Sequence, residues 1–201
     1  MEPLDTRIRR NLGAFARRAA DDDGVRRRAA VAVCVLDAES GACVLIAKRV
    51  PRGLNAGQWA LPGGKLEPGE GAVTAALREL HEEAGLDIAP GAVAGLLDDL
   101  VTDSGFCITP VVVLAPPGAR PVRNPDELAS LHPVPLANLE SERVPRWATT
   151  PDGGPLLQMP LRHDMVIHAP TGAILLQFRE VALRGRELRI ADLAQPEWTR
   201  R

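Results

Sequence analysis

The stretch from Leu61 to Leu86 constrains the fold of this chain more than any other. Leu61-Pro62-Gly63-Gly64 is a Pro-Gly turn closing an apolar run, and Pro68-Gly69-Glu70 is a second turn. From Gly71 to Ala84 the sequence reads as helix, because Ala72, Val73, Ala76, Leu77, Leu80 and Ala84 recur at three- and four-residue spacing. Gly85 stands where a helix ends in positive φ. A helix in this register carries Glu79, Glu82 and Glu83 at neighbouring positions of one face. Like charges so placed repel, and a divalent cation relieves the repulsion because hard cations take carboxylate oxygens. An isolated E-x-x-E-E run reads as a solvated helix face. Glu70, Arg78 and the double glycine at fixed offsets turn the reading toward a site. Arg78 either pairs with Glu70 and fixes the loop, or holds Glu79 in one rotamer.

Written as a pattern, Gly64 to Leu86 is G-x5-E-x7-R-E-U-x-E-E-x-G-U with U aliphatic, and every fixed position is filled. This resembles the signature of the Nudix hydrolases, metal-dependent enzymes that cleave diphosphate bonds in nucleoside diphosphates linked to another group. The resemblance implies an α/β fold, an α/β/α sandwich around a mixed β-sheet, and Mg²⁺ or Mn²⁺ as cofactor. It also implies Glu79 and Glu83 as core metal ligands, Glu82 as a further ligand and the Gly63 carbonyl as a main-chain one. Glu70 and Arg78 join the catalytic set. A carboxylate must accept the proton of the attacking water. Glu79 is the candidate within the signature and Glu127, in Asn124-Pro125-Asp126-Glu127-Leu128, the distal one; Asp98, Asp99 and Asp103 are weaker alternatives.

Outside the signature the chain looks most like the coenzyme A diphosphatase branch. Leu45-Ile46-Ala47-Lys48-Arg49 stands where that branch carries L-L-T-x-R, and Gly57-Gln58-Trp59-Ala60-Leu61-Pro62-Gly63-Gly64 where it carries G-x-x-x-F-P-G-G. Leu61 replaces the phenylalanine, and the slot of the second arginine holds Gly53, with Arg52 adjacent. Arg49 and Arg52, with Lys48, either bind a substrate phosphate or are solvated loop charges. Trp59 either stacks on a base or fills core. Coenzyme A, NADH, ADP-ribose, dinucleoside polyphosphates and nucleoside triphosphates are the candidate substrates.

At 201 residues and 45% hydrophobic content the chain can bury a substantial core. A net charge of −2 gives no broad nucleic-acid footprint, although arginines crowd residues 1–28. Cys34, Cys43 and Cys107 are odd in number and lack a C-x-x-C pair, which predicts free thiols, buried at Cys34 and Cys43. No apolar leader or long apolar run is evident, so a cytoplasmic protein without membrane partner is expected. A homodimer is the expected assembly if the family habit holds. A ligand sensor or scaffold without turnover is the alternative class; the first needs a DNA-binding module, and intact carboxylates argue against both.

Along the chain, residues 1–28 are expected to form an N-terminal helical segment, with a helix from Leu4 to Ala20. Residues 29–140 are the expected Nudix domain, and 141–201 an extension packing on the core or on a dimer partner. Strands are expected at Ala29 to Asp37, Ala42 to Arg49, Trp59 to Leu61, Ala94 to Thr102 and Phe106 to Leu114. A helical turn is read at Asp126 to Leu131 and a last core strand at Val134 to Leu136. In the extension, Pro155 to Met159, Met165 to His168 and Glu187 to Ile190 read as strands. Thr171 reads as N-cap of a helix from Gly172 to Leu183. His163 and His168 lack clustered partners and read as structural.

Overall fold

The computed structural model describes residues 2–21, 24–51, 57–149 and 154–191. Helix α1 (Leu4–Ala14) is followed by β1 (Arg27–Ala38), β2 (Gly41–Arg49), β3 (Trp59–Ala60) and β4 (Gly63–Lys65). Helix α2 (Ala72–Ala84) comes next, then β5 (Val93–Leu96), β6 (Leu100–Val101), β7 (Phe106–Leu114) and β8 (Leu128–Pro135). Helix α3 (Leu136–Glu140) leads to β9 (Arg146–Thr149), β10 (Pro155–Arg162), β11 (Met165–Ile167) and α4 (Thr171–Gln177), which continues as a π-helical segment, Phe178–Leu183.

Eight strands form one mixed sheet in which β1 and β7 run parallel and the other pairs antiparallel. β1 and β2 pair only near their hairpin, from Val35↔Val44 to Ala38↔Gly41. Beyond it they splay, and the same edges bind β4 on β1 (Val31↔Gly63) and β3 on β2 (Lys48↔Trp59). The glycine turn is thereby held in a gap of the sheet.

Alternation along β1 sorts the core into two layers. Ala30, Ala32, Cys34 and Leu36 meet Ala75, Ala76, Leu80 and Ala84 of α2. Val33 and Val35 face the other way, onto a cluster that holds Ile8 and Leu12 of α1 and Ile174, Phe178 and Val181 of the C-terminal helix. The result is an α/β/α sandwich whose second helical layer joins the two ends of the chain. No helix among the described residues is long and apolar enough to cross a membrane. All three cysteines are buried free thiols.

Several expectations are corrected. Helix α1 stops at Ala14 because the following backbone turns to acids: Arg18 N and Ala20 N donate to Asp98 and Asp99. Those aspartates also break the expected strand from Ala94 to Thr102 into β5 and β6. Of the helical turn expected at Asp126 to Leu131, only Asp126 and Glu127 lie in a turn; from Leu128 the chain is β8, which pairs with β2 from Arg49↔Leu128 to Cys43↔Pro135. Pro133 and Pro135 obscured it; both are tolerated because, among the described residues, β8 is bonded on one side only. Thr171 is the first helical residue rather than the cap, which is Pro170. Glu187 to Ile190 forms no strand. β9 was not expected at all. Residues 52–56, between β2 and β3, lie outside the described residues.

Candidate active site

Helix α2 buries Ala75, Ala76, Leu80 and Ala84, and the same face brings Glu79 and Glu83 inward, 9% and 1% exposed. Its C-terminus is closed by Gly85 at φ 61°, whose N–H donates to the His81 carbonyl while that of Leu86 donates to Leu80. The remaining carbonyls are taken by a distant loop. Val122 N donates to Ala84 O at 2.7 Å, Asn124 N to Glu83 O at 3.0 Å and Asn124 Nδ2 to Glu82 O at 3.2 Å. This docking carries Glu127 to the helix. Carboxylate oxygens of Glu79, Glu83 and Glu127 then lie within 4.8 Å of one another.

Each member has a different hold. Glu83 accepts from Gly63 N at 3.1 Å and lies 3.6 Å from Arg49 Nη2. Burial pushes its carboxyl up to about 7, against the pull of Arg49 and the Gly63 amide, with Glu79 and Glu127 pushing further. Glu79 is also shifted upward, mainly by burial, although Arg78 Nη1 donates to it at 2.8 Å. Glu127 is exposed, and its side chain meets Asn124 Nδ2 at 3.4 Å.

Arg78 does both things the sequence offered. Its Nε and Nη2 grip the two oxygens of Glu70 at 3.0 and 3.1 Å, while Nη1 reaches Glu79 and Glu82 and Nη2 also reaches the Lys65 carbonyl. Its hydrogen bonds hold the Glu70 carboxyl below its ordinary value, aided by the Glu67 amide. Glu82 is thus turned toward Arg78, and the three-carboxylate cluster does not include it. The Gly63 carbonyl accepts from Arg49 Nη2 at 3.0 Å. The glycines are required sterically: a Cβ on Gly64 would stand 2.1 Å from Glu79 Oε1, and one on Gly63 would stand 2.4 Å from the Ala30 carbonyl.

Beside the cluster opens a cavity of about 480 Å³, bordered by Arg49, Gly63 and Gly64. Trp59 lines one flank, with its ring edge-on to His132 at 5.1 Å and Lys48 Nζ 4.8 Å from its centroid. Phe106 lines the opposite flank, and Pro170, Thr171 and Ile174 complete the wall from the C-terminal helix. Phe106, Pro170 and Ile174 carry no sequence signal for a site. Asn124 had one, the Asn-Pro-Asp turn, but its contact with α2 is long-range. Arg52 lies outside the described residues. Asp98 and Asp99 are removed from the site, buried against arginines. His163 is exposed beside Asp164, and His168 lies outside the carboxylate cluster.

The NUDIX domain model matches residues 26–153. The chain belongs to the Nudix family. Among curated relatives, the Nudix hydrolase NudL of Photorhabdus laumondii is 35% identical over 112 residues, covering 55% of this chain and 60% of that protein. NudL of Citrobacter koseri is 33% identical over 123 residues, covering 61% and 63%. The chain thus spans under two thirds of the length of these relatives. Two Nudix crystal structures share the fold. A MutT/nudix protein of Enterococcus faecalis aligns with a TM-score of 0.56 at 20% identity, over 78% of this chain and 62% of its own. RenU of M. smegmatis aligns with a TM-score of 0.54 at 24% identity, over 82% and 90%.

Proposed function

We propose that this Nudix domain is a metal-dependent hydrolase that cleaves the diphosphate bond of a nucleoside diphosphate linked to another moiety. The observation that carries this reading is the convergence of Glu79, Glu83 and Glu127 within 4.8 Å, from a helix and a separate loop, beside an open cavity. Three carboxylates suit a hard divalent cation, Mg²⁺ or Mn²⁺, and the upward shift of Glu83, caused first by burial and increased by Glu79 and Glu127, is one that such a cation would oppose. Glu79 and Glu83 would hold it, with Glu127 close by on the separate loop. When bound, such a cation neutralises charge on the diphosphate and lowers the pKa of water.

The chain's residues supply the rest. Arg78, anchored on Glu70, fixes Glu79 in one rotamer and leaves α2 tied to the glycine turn. Arg49 sits between Glu83 and the cavity, placed to meet a substrate phosphate. Of the two candidate proton acceptors, Glu79 is committed to Arg78, whereas Glu127 is exposed and weakly bonded. Glu127 therefore takes the proton of the attacking water. Trp59 offers an aromatic wall to a base or an acyl arm. Coenzyme A is one substrate candidate, on the strength of the upstream sequence resemblance.

The test is a panel of coenzyme A, NADH, ADP-ribose, dinucleoside polyphosphates and nucleoside triphosphates with Mg²⁺ and Mn²⁺, products being resolved by chromatography. Turnover is expected for at least one diphosphate, falling on the order of a thousandfold in Glu83→Gln. No metal-dependent turnover of any of them contradicts the proposal and leaves the sensor or scaffold reading.

A further inference from the structure

The cavity is uneven in charge, and the unevenness follows from the sheet. Arg27 of β1, Lys65 of β4 and Phe106 of β7 come from three neighbouring strands, in the registers Arg27↔Phe106 and Ala29↔Lys65. Side-chain alternation therefore puts all three on the face opposite α2, where they line the flank of the cavity away from Trp59. The Arg27 guanidinium lies 4.0 Å from the Phe106 ring centroid, and Lys65 Nζ lies 6.0 Å from it. Arg27 Nη2 is further fixed by the Ser104 carbonyl at 2.7 Å. Among the described residues neither cation forms a salt bridge. A ring that orders two unpaired cations at a cavity rim presents about two positive charges in one place.

Resting on the proposed diphosphatase reading, we infer that Arg27, Lys65 and Phe106 form a subsite for a phosphomonoester carried on the substrate moiety that occupies this flank. The charge match is the reason. A phosphomonoester carries roughly −1.5 to −2 at neutral pH, which two cations balance and a hydroxyl does not require. The layout agrees as well. β7 and β4 lie on opposite edges of β1, and β3 lies across the gap from β4 on the edge of β2, so Gly63 and Gly64 stand between Phe106 and Trp59 in the cavity wall. A diphosphate at Gly63 and Gly64 thus leaves one arm for Trp59 and the other for Phe106. At the Trp59 flank a single lysine, Lys48, stands over the ring, so the two-cation end is the one suited to a dianion.

The test compares substrates that differ only in such a group: NADPH with NADH, and coenzyme A with dephospho-coenzyme A. In wild type, kcat/KM is expected to favour the phosphorylated member of at least one pair on the order of ten- to a hundredfold. In the Arg27→Met, Lys65→Met double variant the ratio should fall to about one, and in Arg27→Lys, Lys65→Arg it should persist. A calorimetric arm needs no turnover: adenosine 3′,5′-bisphosphate should bind tighter than AMP to wild type, and the two should bind alike to the double methionine variant. Preserved thermal unfolding of that variant guards against misfolding. Equal kcat/KM within both pairs together with equal nucleotide affinity in wild type overturns the subsite, as does a preference that survives the double variant. Absence of all hydrolysis would contradict the diphosphatase reading instead, and the calorimetric arm would still decide the subsite.

Discussion

Two groups of buried acids in this molecule have opposite company. Asp98 and Asp99, 5% and 8% exposed, are surrounded by donors. Asp99 accepts from Arg17 Nη2, Thr109 Oγ1 and Ala20 N, with Arg28 at 3.5 Å. Asp98 accepts from Arg18 N, Gln177 Nε2 and Arg189 Nη1. Together they tie the segment after α1 and the C-terminal helix to the core. Glu79, Glu83 and Glu127 are instead crowded upon one another, and Glu83 is pushed up to about 7, first by its burial and then by its two neighbours. Where acids are matched, charge serves to join segments. Where they are in excess, the protein is left short of a cation.

The contrast breaks most visibly in a pair of variants. Glu83→Gln should abolish nearly all turnover, on the order of a thousandfold, yet leave the unfolding midpoint unchanged or raised, because a charge held away from water is removed. Asp99→Ala should do the reverse. Losing it strands Arg17 and Thr109, at a cost of about 3 kcal/mol, or a midpoint lowered by roughly 6–12 °C, with activity retained below the transition. Thermal melts and kcat/KM on the two variants check both halves.

Gly64→Ala sharpens the geometry of the acidic group. The added Cβ falls 2.1 Å from Glu79 Oε1, so the carboxylate must leave its place against Arg78. A displacement of that size should cost about a hundredfold in kcat, with little change in stability.

The smallest effect is that of pH. The Glu83 carboxyl binds its proton more tightly in the folded state, at about 7, than in the unfolded chain. Its contribution to stability is therefore complete at low pH and lost as pH rises from the ordinary carboxylate range through about 7, in the absence of metal. Divalent cations need the deprotonated form, so affinity for Mn²⁺ should weaken by up to about tenfold per pH unit below 7. Melts in chelator across pH 5 to 8 should fall, and melts with Mn²⁺ should not.

The acidic group was legible in the sequence because its main parts are local. Turn, helix, Glu70, Arg78, Glu79 and Glu83 lie within one signature, and helical periodicity alone puts the glutamates on one face. Glu127 was legible as a candidate, but its place depends on Asn124 capping α2 from a loop some forty residues on. The matched group was not legible. Arg17 and Asp99 are 82 residues apart, and Gln177 and Asp98 are 79, so no window of sequence contains either pair. The same long-range bonds ended α1 early and split the expected strand before β7. β8 was hidden for a related reason, since its proline-marked segment is made a strand by the edge of β2.

The most direct measurement is a Mn²⁺ titration followed by electron paramagnetic resonance, on wild type, Glu83→Gln and Asp99→Ala. Wild type and Asp99→Ala should bind the ion alike, and Glu83→Gln should bind it on the order of a hundredfold more weakly. Equal binding by Glu83→Gln, or no binding by wild type, would contradict the account of the glutamate cluster as a cation site.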